Sequence, residues 1–165
     1  MIIRTFTETD SVTELTRLLH RAYRGLAEMG LRFLATHQTD RQTQERIDDG
    51  TCLVAELDGR IVGTIVYYNC TNAGGTAWYD RPEVCSFGQF GVEPELQGSG
   101  IGTRLLEAVE ELARNDGAEE IALDTAEPAH HLIAYYTRQG YRLVDHTQWD
   151  VTNYRSVIMS KRLQE

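Results

Sequence analysis

Cysteine is scarce in this chain. Cys52, Cys70 and Cys85 are widely spaced, and no C-x-x-C pair occurs, which excludes a zinc-ribbon or thioredoxin-like site. Each lies in an apolar run and reads as a free, buried small hydrophobe. No histidine or basic residue stands near Cys85 in sequence, so it lacks the setting of a nucleophile. Long hydrophobic runs are also missing: none approaches the ~18 residues of a membrane span. Residues 1–6 show neither a long apolar stretch nor a small-residue cleavage site, so a reducing cytoplasm is the expected location. Basic charge is short as well, with 16 Lys and Arg against 25 Asp and Glu and a formal net charge of −9. That balance argues against nucleic acid and anionic membrane as partners.

What is present describes an ordinary globular chain. Its 165 residues are 41% hydrophobic and 25% charged, which fits one domain over residues 1–165 with a single sizeable core. Residues 2–6 read as a strand. Ser11-x-x-Glu14 is a capping box, followed by an apolar stripe from Val12 to Leu26, and Thr39-x-x-Gln42 repeats the box before a polar helix closed by Gly50. Asp58-Gly59 between two Val- and Ile-rich runs, 51–57 and 60–70, is a hairpin signal. Residues 71–82 form a loop, with Asn72, Gly74, Gly75, Asp80 and Pro82 as its turn formers. Residues 84–92 make the next strand, in which Gly88 and Gly91 mark a bulge or a close approach to the backbone. Helices over 101–115 and 129–139 flank a strand at 120–125, and strands at 141–149 and 154–163 close the chain. The order predicts an α+β or α/β fold, a mixed sheet with helices packed on it.

The chemically informative segment is Gln97-Gly98-Ser99-Gly100-Ile101-Gly102-Thr103-Arg104. It follows a strand by a short Pro-containing link and opens a helix. Glycines let several N–H groups converge, and a helix N-terminus adds unsatisfied donors and a positive dipole end. The result is an anion site suited to phosphate or pyrophosphate. No acid lies between Gln97 and Arg104, so the local field opposes the global one. A P-loop is excluded because the only lysine is Lys161. A dinucleotide fingerprint fails because the sixth position from Gly98 is Thr103.

Gln97, Gly100 and Gly102 form the pattern Gln-x-x-Gly-x-Gly, which resembles the acetyl-CoA pyrophosphate loop of the GNAT superfamily of N-acetyltransferases. The resemblance extends upstream through Val92-x-Pro94 and downstream through Leu105-Leu106. It returns at Ala134-Tyr135-Tyr136-x-x-x-Gly140-Tyr141, and the order of elements matches the whole fold. It implies a central, mostly antiparallel, twisted sheet of about seven strands flanked by about four helices, and a cytoplasmic enzyme that moves an acetyl group directly from acetyl-CoA to a primary amine. No metal is involved. By the same resemblance Phe90, Gly91 and Val92 present backbone groups to pantetheine, with the Val92 N–H as oxyanion donor. Residues Gln97, Gly98, Ser99, Gly100, Ile101 and Gly102 hold the pyrophosphate, Thr103 and Arg104 assist, and Tyr136 serves the CoA sulfur, with Tyr135 as the alternative.

The general base stays open at this level. Some family members carry an acid in the strand before the loop, but residues 84–92 contain none. Asp124 stands at the end of the next strand, Glu83 at the mouth of the preceding one, and His37 near the first helices. The family's frequent Asn at the start of the last helix is replaced by Ala129, followed by His130 and His131, which diverge on a helix and do not read as metal ligands. The alternative to an enzyme is a non-catalytic acyl-CoA-binding module. The acceptor pocket is expected from Tyr23, Glu28, Phe33, His37, Trp78, Tyr79, Asp80 and Glu83, whose aromatics and acids suit a small or cationic amine. A homodimer is common for the fold.

Overall fold

The computed structural model describes residues 1–71 and 75–163. Two of the expected turn residues, Asn72 and Gly74, lie outside the described residues. Seven strands, β1 (Ile2–Thr5), β2 (Thr51–Leu57), β3 (Arg60–Tyr68), β4 (Val84–Val92), β5 (Glu120–Ala126), β6 (Arg142–Thr147) and β7 (Ser156–Arg162), form one sheet in the order β1-β2-β3-β4-β5-β7-β6. All neighbours are antiparallel except β4 and β5. The helices are α1 (Val12–Ala22), α2 (Arg24–Glu28), α3 (Asp40–Asp49), α4 (Ile101–Asn115) and α5 (His130–Arg138). Among the described residues there are five rather than about four because the first apolar stripe breaks at Tyr23, whose φ of −97° and ψ of 2° end α1 and begin α2.

Local chemistry accounts for these boundaries. The Ser11 side chain accepts from the Glu14 N–H, and Thr39 with Gln42 forms a complete capping box, which satisfies donors that a helix start leaves open. Asp58 and Gly59 both have positive φ, as the two-residue turn between β2 and β3 requires. On one face of the sheet the α4 stripe buries Leu105, Leu106, Val109 and Ala113 against Ile65, Ile121 and Leu123, each leucine contributing roughly 1.5–3 kcal/mol. On the other face Leu15 of α1 packs with Cys52, Val54 and Val66.

One expectation fails here. Cys70 and Cys85 are joined as a disulfide, and only Cys52 is a free cysteine among the described residues. The β3–β4 register, with Tyr68 opposite Ser86, carries the two cysteines together. Their sequence separation of 15 conceals that pairing.

The far half of β4 is shaped by α1. A bulge interrupts the β3–β4 register opposite Ile65, and Gln89 sits there at φ 49°, a conformation uncommon for a residue with a side chain. Arg21 donates to both oxygens of the buried Glu93 carboxylate, at 2.6 and 2.8 Å, and holds that carboxyl below its usual range. The Tyr23 hydroxyl donates to the Phe90 carbonyl at 2.7 Å. At Gly91 a Cβ would stand 3.1 Å from the Ala22 Cβ and 3.4 Å from Leu19 Cδ2, so its glycine is the close approach anticipated from the sequence. Gly91→Val is expected to destabilise the protein by about 1–3 kcal/mol through overpacking, read as a lower denaturant midpoint with an unchanged m-value.

Candidate active site

β4 and β5 pair only at Val84, Cys85 and Ser86 against Glu120, Ile121 and Ala122. Beyond those residues the strands part, β4 running on to Val92 and β5 to Ala126. A cleft of about 850 Å³ fills the gap and extends from the glycine loop to the first helices.

At the loop end, Gly98 and Gly100 adopt positive φ (82° and 90°), and Gly100 is the N-cap of α4. The N–H groups of the first helical turn therefore face outward without helical partners, and that turn contains no acid. Gln97, Gly98, Gly100, Gly102 and Thr103 line the cleft. Three residues of the expected set do not. The Ser99 hydroxyl turns back to the Leu96 carbonyl, Ile101 is buried in the core, and Arg104 is exposed. Gly102 has a steric reason: a Cβ would stand 3.2 Å from the Tyr135 hydroxyl and 3.3 Å from Phe90 Cζ. Arg138, which the sequence reading passed over, lines the same cleft from the end of α5.

Along β4, backbone direction separates the three residues expected to present polar groups. Gly91 pairs with Thr64, and the Phe90 carbonyl is taken by Tyr23. The Glu93 N–H donates to Val62 on β3 at 2.8 Å, and N–H directions alternate along a strand, so the Val92 N–H points into the gap. Tyr136 stands across from it. Its ring is buried among Phe87, Phe90, Tyr135 and Tyr141. Its side chain lines the cleft, and burial pushes its hydroxyl well above the ordinary tyrosine pKa.

Asp124 also lines the cleft. One of its oxygens accepts from the Tyr79 hydroxyl at 2.7 Å and the other from Trp149 Nε1 at 2.9 Å. Burial raises its pKa, and those two hydrogen bonds offset the shift only in part. The other candidate bases fare differently. Glu83 does not line the cleft; it is partly exposed and 4.0 Å from Arg81. His37 is exposed, with Nδ1 3.1 Å from Thr36 Oγ1, and is also outside the lining. Of the expected acceptor residues, Tyr23 and Phe33 line the cleft and Tyr79 supports Asp124 from behind, whereas Trp78, Glu28 and Asp80 take no part in the lining. Arg46, Gln89 and Trp149 line it as well. Arg46 had little sequence signal, since it stands on a helix whose residues otherwise look solvated; the structure places it one turn from the buried Thr43.

Comparison with known proteins bears on the fold that carries this cleft. Residues 12–141 match the model described as Acetyltransferase (GNAT) family. The S-(2-succino)cysteine N-acetyltransferase of Bacillus subtilis is 33% identical over 133 residues, spanning 78% of this chain and 76% of that protein. The S-alkylcysteine N-acetyltransferase of the same organism is 28% identical, spanning 81% and 75%. A GNAT family acetyltransferase from Elizabethkingia anophelis, solved with acetyl-CoA bound, superposes with a TM-score of 0.69 at 16% identity, covering 98% of this chain and 97% of that one.

Asp124 also gives a pH prediction. Its folded-state pKa is raised above the ordinary 3.8. The stability gained by keeping it neutral is therefore complete below 3.8 and lost as pH rises through the higher folded value. Asp124→Asn, neutral at every pH, is expected to remove this component. Thermal midpoints of the two proteins should converge at low pH, and the wild type should lose more on raising the pH.

Proposed function

The chain belongs to the acetyltransferase (GNAT) family and is an acyltransferase; from that premise we propose that it moves an acetyl group directly from acetyl-CoA to the primary amine of a small acceptor. The observation that supports this reading best is the parting of β4 and β5. It sets the anion-binding loop, an inward-facing Val92 N–H, Tyr136 and Asp124 around one cleft.

The chemistry is assigned as follows. The loop from Gln97 to Thr103 receives the pyrophosphate on backbone N–H groups and the end of the α4 dipole, and Arg138 adds a cation. Pantetheine lies in the gap as an added strand. An ammonium has no lone pair, so its proton must leave before attack; Asp124, whose proton affinity is raised by burial, receives it. The free amine attacks the thioester carbonyl, and the Val92 N–H donates to the developing oxyanion. The C–S bond then breaks, Tyr136 protonates the departing thiolate, the second proton shed by the newly acylated nitrogen returns to Tyr136, and the proton held by Asp124 passes to solvent. A tyrosine with a raised pKa stays protonated at neutral pH, which suits a donor. The two Bacillus subtilis relatives make S-substituted cysteines the first acceptors to try, beside small cationic amines.

Purified protein is to be mixed with acetyl-CoA and an amine panel while free thiol is followed. Amine-dependent thiol release supports acetyl transfer, whereas tight CoA binding without release on any amine would leave a binding module instead. Tyr136→Phe is expected to lower kcat roughly 100-fold, as loss of a general acid does, with little change in the KM for acetyl-CoA. Gly102→Val should raise the calorimetric Kd for CoA ~10-fold or more, which corresponds to overpacking of about 1.4 kcal/mol, with an unchanged circular dichroism spectrum.

A further inference from the structure

Arg46, in the last turn of α3, places a positive charge in the cleft at a distance from the pyrophosphate loop, and the transfer step has no use for it there. Among the described residues no carboxylate lies within ion-pair distance of it. A partly buried cation with no counter-ion is unfavourable unless a partner arrives, and in a chain with a surplus of acids its solitude is not a matter of supply. One Nη1–H donates to Gln38 Oε1 at 3.0 Å. Nη2 lies so close to β4 that a Cβ on Gly88 would be 3.1 Å away, so glycine at 88 makes room for the guanidinium. The remaining N–H groups of a five-donor fork have no protein acceptor among the described residues.

The amides beside it are fixed by the same cation. A guanidinium only donates, so Gln38 must turn its oxygen to Arg46. Gln38 Nε2 then donates to Thr43 Oγ1 at 2.7 Å and to Gln89 Oε1 at 3.0 Å. With its oxygen engaged, Gln89 is left with a free amide nitrogen. That Nε2 is buried without a partner, on a residue 2% exposed that lines the same cleft. The bulge holds Gln89 at φ 49°, so the orphaned donor belongs to a locked side chain rather than a mobile one.

We propose that Arg46 and Gln89 Nε2 form a carboxylate subsite, and that the acceptor is an α-amino acid or similar zwitterion whose carboxylate is held there while its amine faces Asp124. The assignment rests on the acetyl-transfer reading. A planar fork matches a carboxylate bidentately, and the amide adds a third donor. Arg46 acts through space on Asp124, Tyr23 and Tyr154, so opposite charges share the acceptor end of the cleft. That is the complement of a molecule with an ammonium and a carboxylate a few ångströms apart. A purely cationic amine would meet Arg46 as a like charge.

The test uses a panel of L-amino acids, S-methylcysteine among them, each paired with its decarboxylated amine. Wild type is expected to favour the carboxylate member in kcat/KM by roughly 50-fold or more, in line with a buried charge-assisted contact. Arg46→Gln should remove most of that preference by slowing the amino acids selectively, leave the decarboxylated amines no slower than in wild type because a like charge is gone, and leave the KM for acetyl-CoA unchanged; Arg46→Lys should recover part of it. Equal losses on both members of each pair, or no preference in wild type, would overturn the subsite. Calorimetry of N-acetyl-S-methylcysteine and its amide on the CoA-loaded protein separates this from the chemistry. Binding that needs both the carboxylate and Arg46, without turnover of any amine, would sustain the subsite and sink the transfer reading. Binding indifferent to the carboxylate would sink the subsite whatever the turnover.

Discussion

Among the described residues β4 and β5 are the only parallel neighbours in the sheet, and their pairing stops after Ser86 and Ala122. Sheets resist such gaps because unpaired N–H and C=O groups are costly when buried. Here the far half of β4 is fastened elsewhere. Its bulge at Gln89 re-aims the strand, and α1 grips it through Tyr23 on the Phe90 carbonyl, Arg21 on Glu93, and the contact of Gly91 with Ala22. With β5 gone as a partner, β3 and the Tyr23 hydroxyl take up part of the β4 backbone, and the Val92 N–H faces the space between the strands. The cleft and the donor it exposes follow from that change of partners.

The distribution of charge follows a similar logic. A net charge of −9 sets the sign of the distant field, yet the cleft concentrates donors: the start of α4 at one end, Arg138 beside it, and Arg46 with Gln89 at the other. Asp124 is the acid of the lining, and it is held by Tyr79 and Trp149 rather than by a cation. Neutral donors leave its proton affinity raised, whereas a salt bridge would have lowered it as Arg21 does for Glu93. Two carboxylates of one fold are thus set apart by their partners, one as a fastening and one as a group able to exchange a proton.

The fold was largely legible in the chain because its signals are local. The bounds of β4 and α4 can be read to the residue from apolar runs, Pro94 and glycine punctuation, and the capping boxes at Ser11 and Thr39 mark real helix starts. The conformation of the glycine loop was legible for the same reason, since its turns and the helix start belong to consecutive residues. The acceptor end was not. Asp124 is aimed by Tyr79 from one loop and Trp149 from another, and its alternation along β5 could not say which way it faced. Glu83, at the mouth of β4, looked as good by position and turns to Arg81 instead. The Cys70–Cys85 pair was hidden by a loop, because adjacency across a hairpin depends on register and not on spacing.

The polar helix α3 shows how tertiary context inverts a sequence impression. Its residues look solvated, with Ile47 as its one large apolar side chain, and a helix without a wide apolar stripe gains little from hydrophobic packing. It is seated instead by hydroxyls and amides. Thr43 meets Thr16 of α1 at 2.7 Å, and Gln38 ties Thr43, Gln89 and Arg46 together. Such a network is stable only when each member is satisfied, so its open donors, Gln89 Nε2 and the unused N–H groups of Arg46, stand out against it. The network fixes Arg46 through Gln38 and Gln89 through the bulge of β4. The bulge of β4, a few residues beyond the end of its pairing with β5, thus sets both the course of the strand along the cleft and the aim of the polar groups around Arg46.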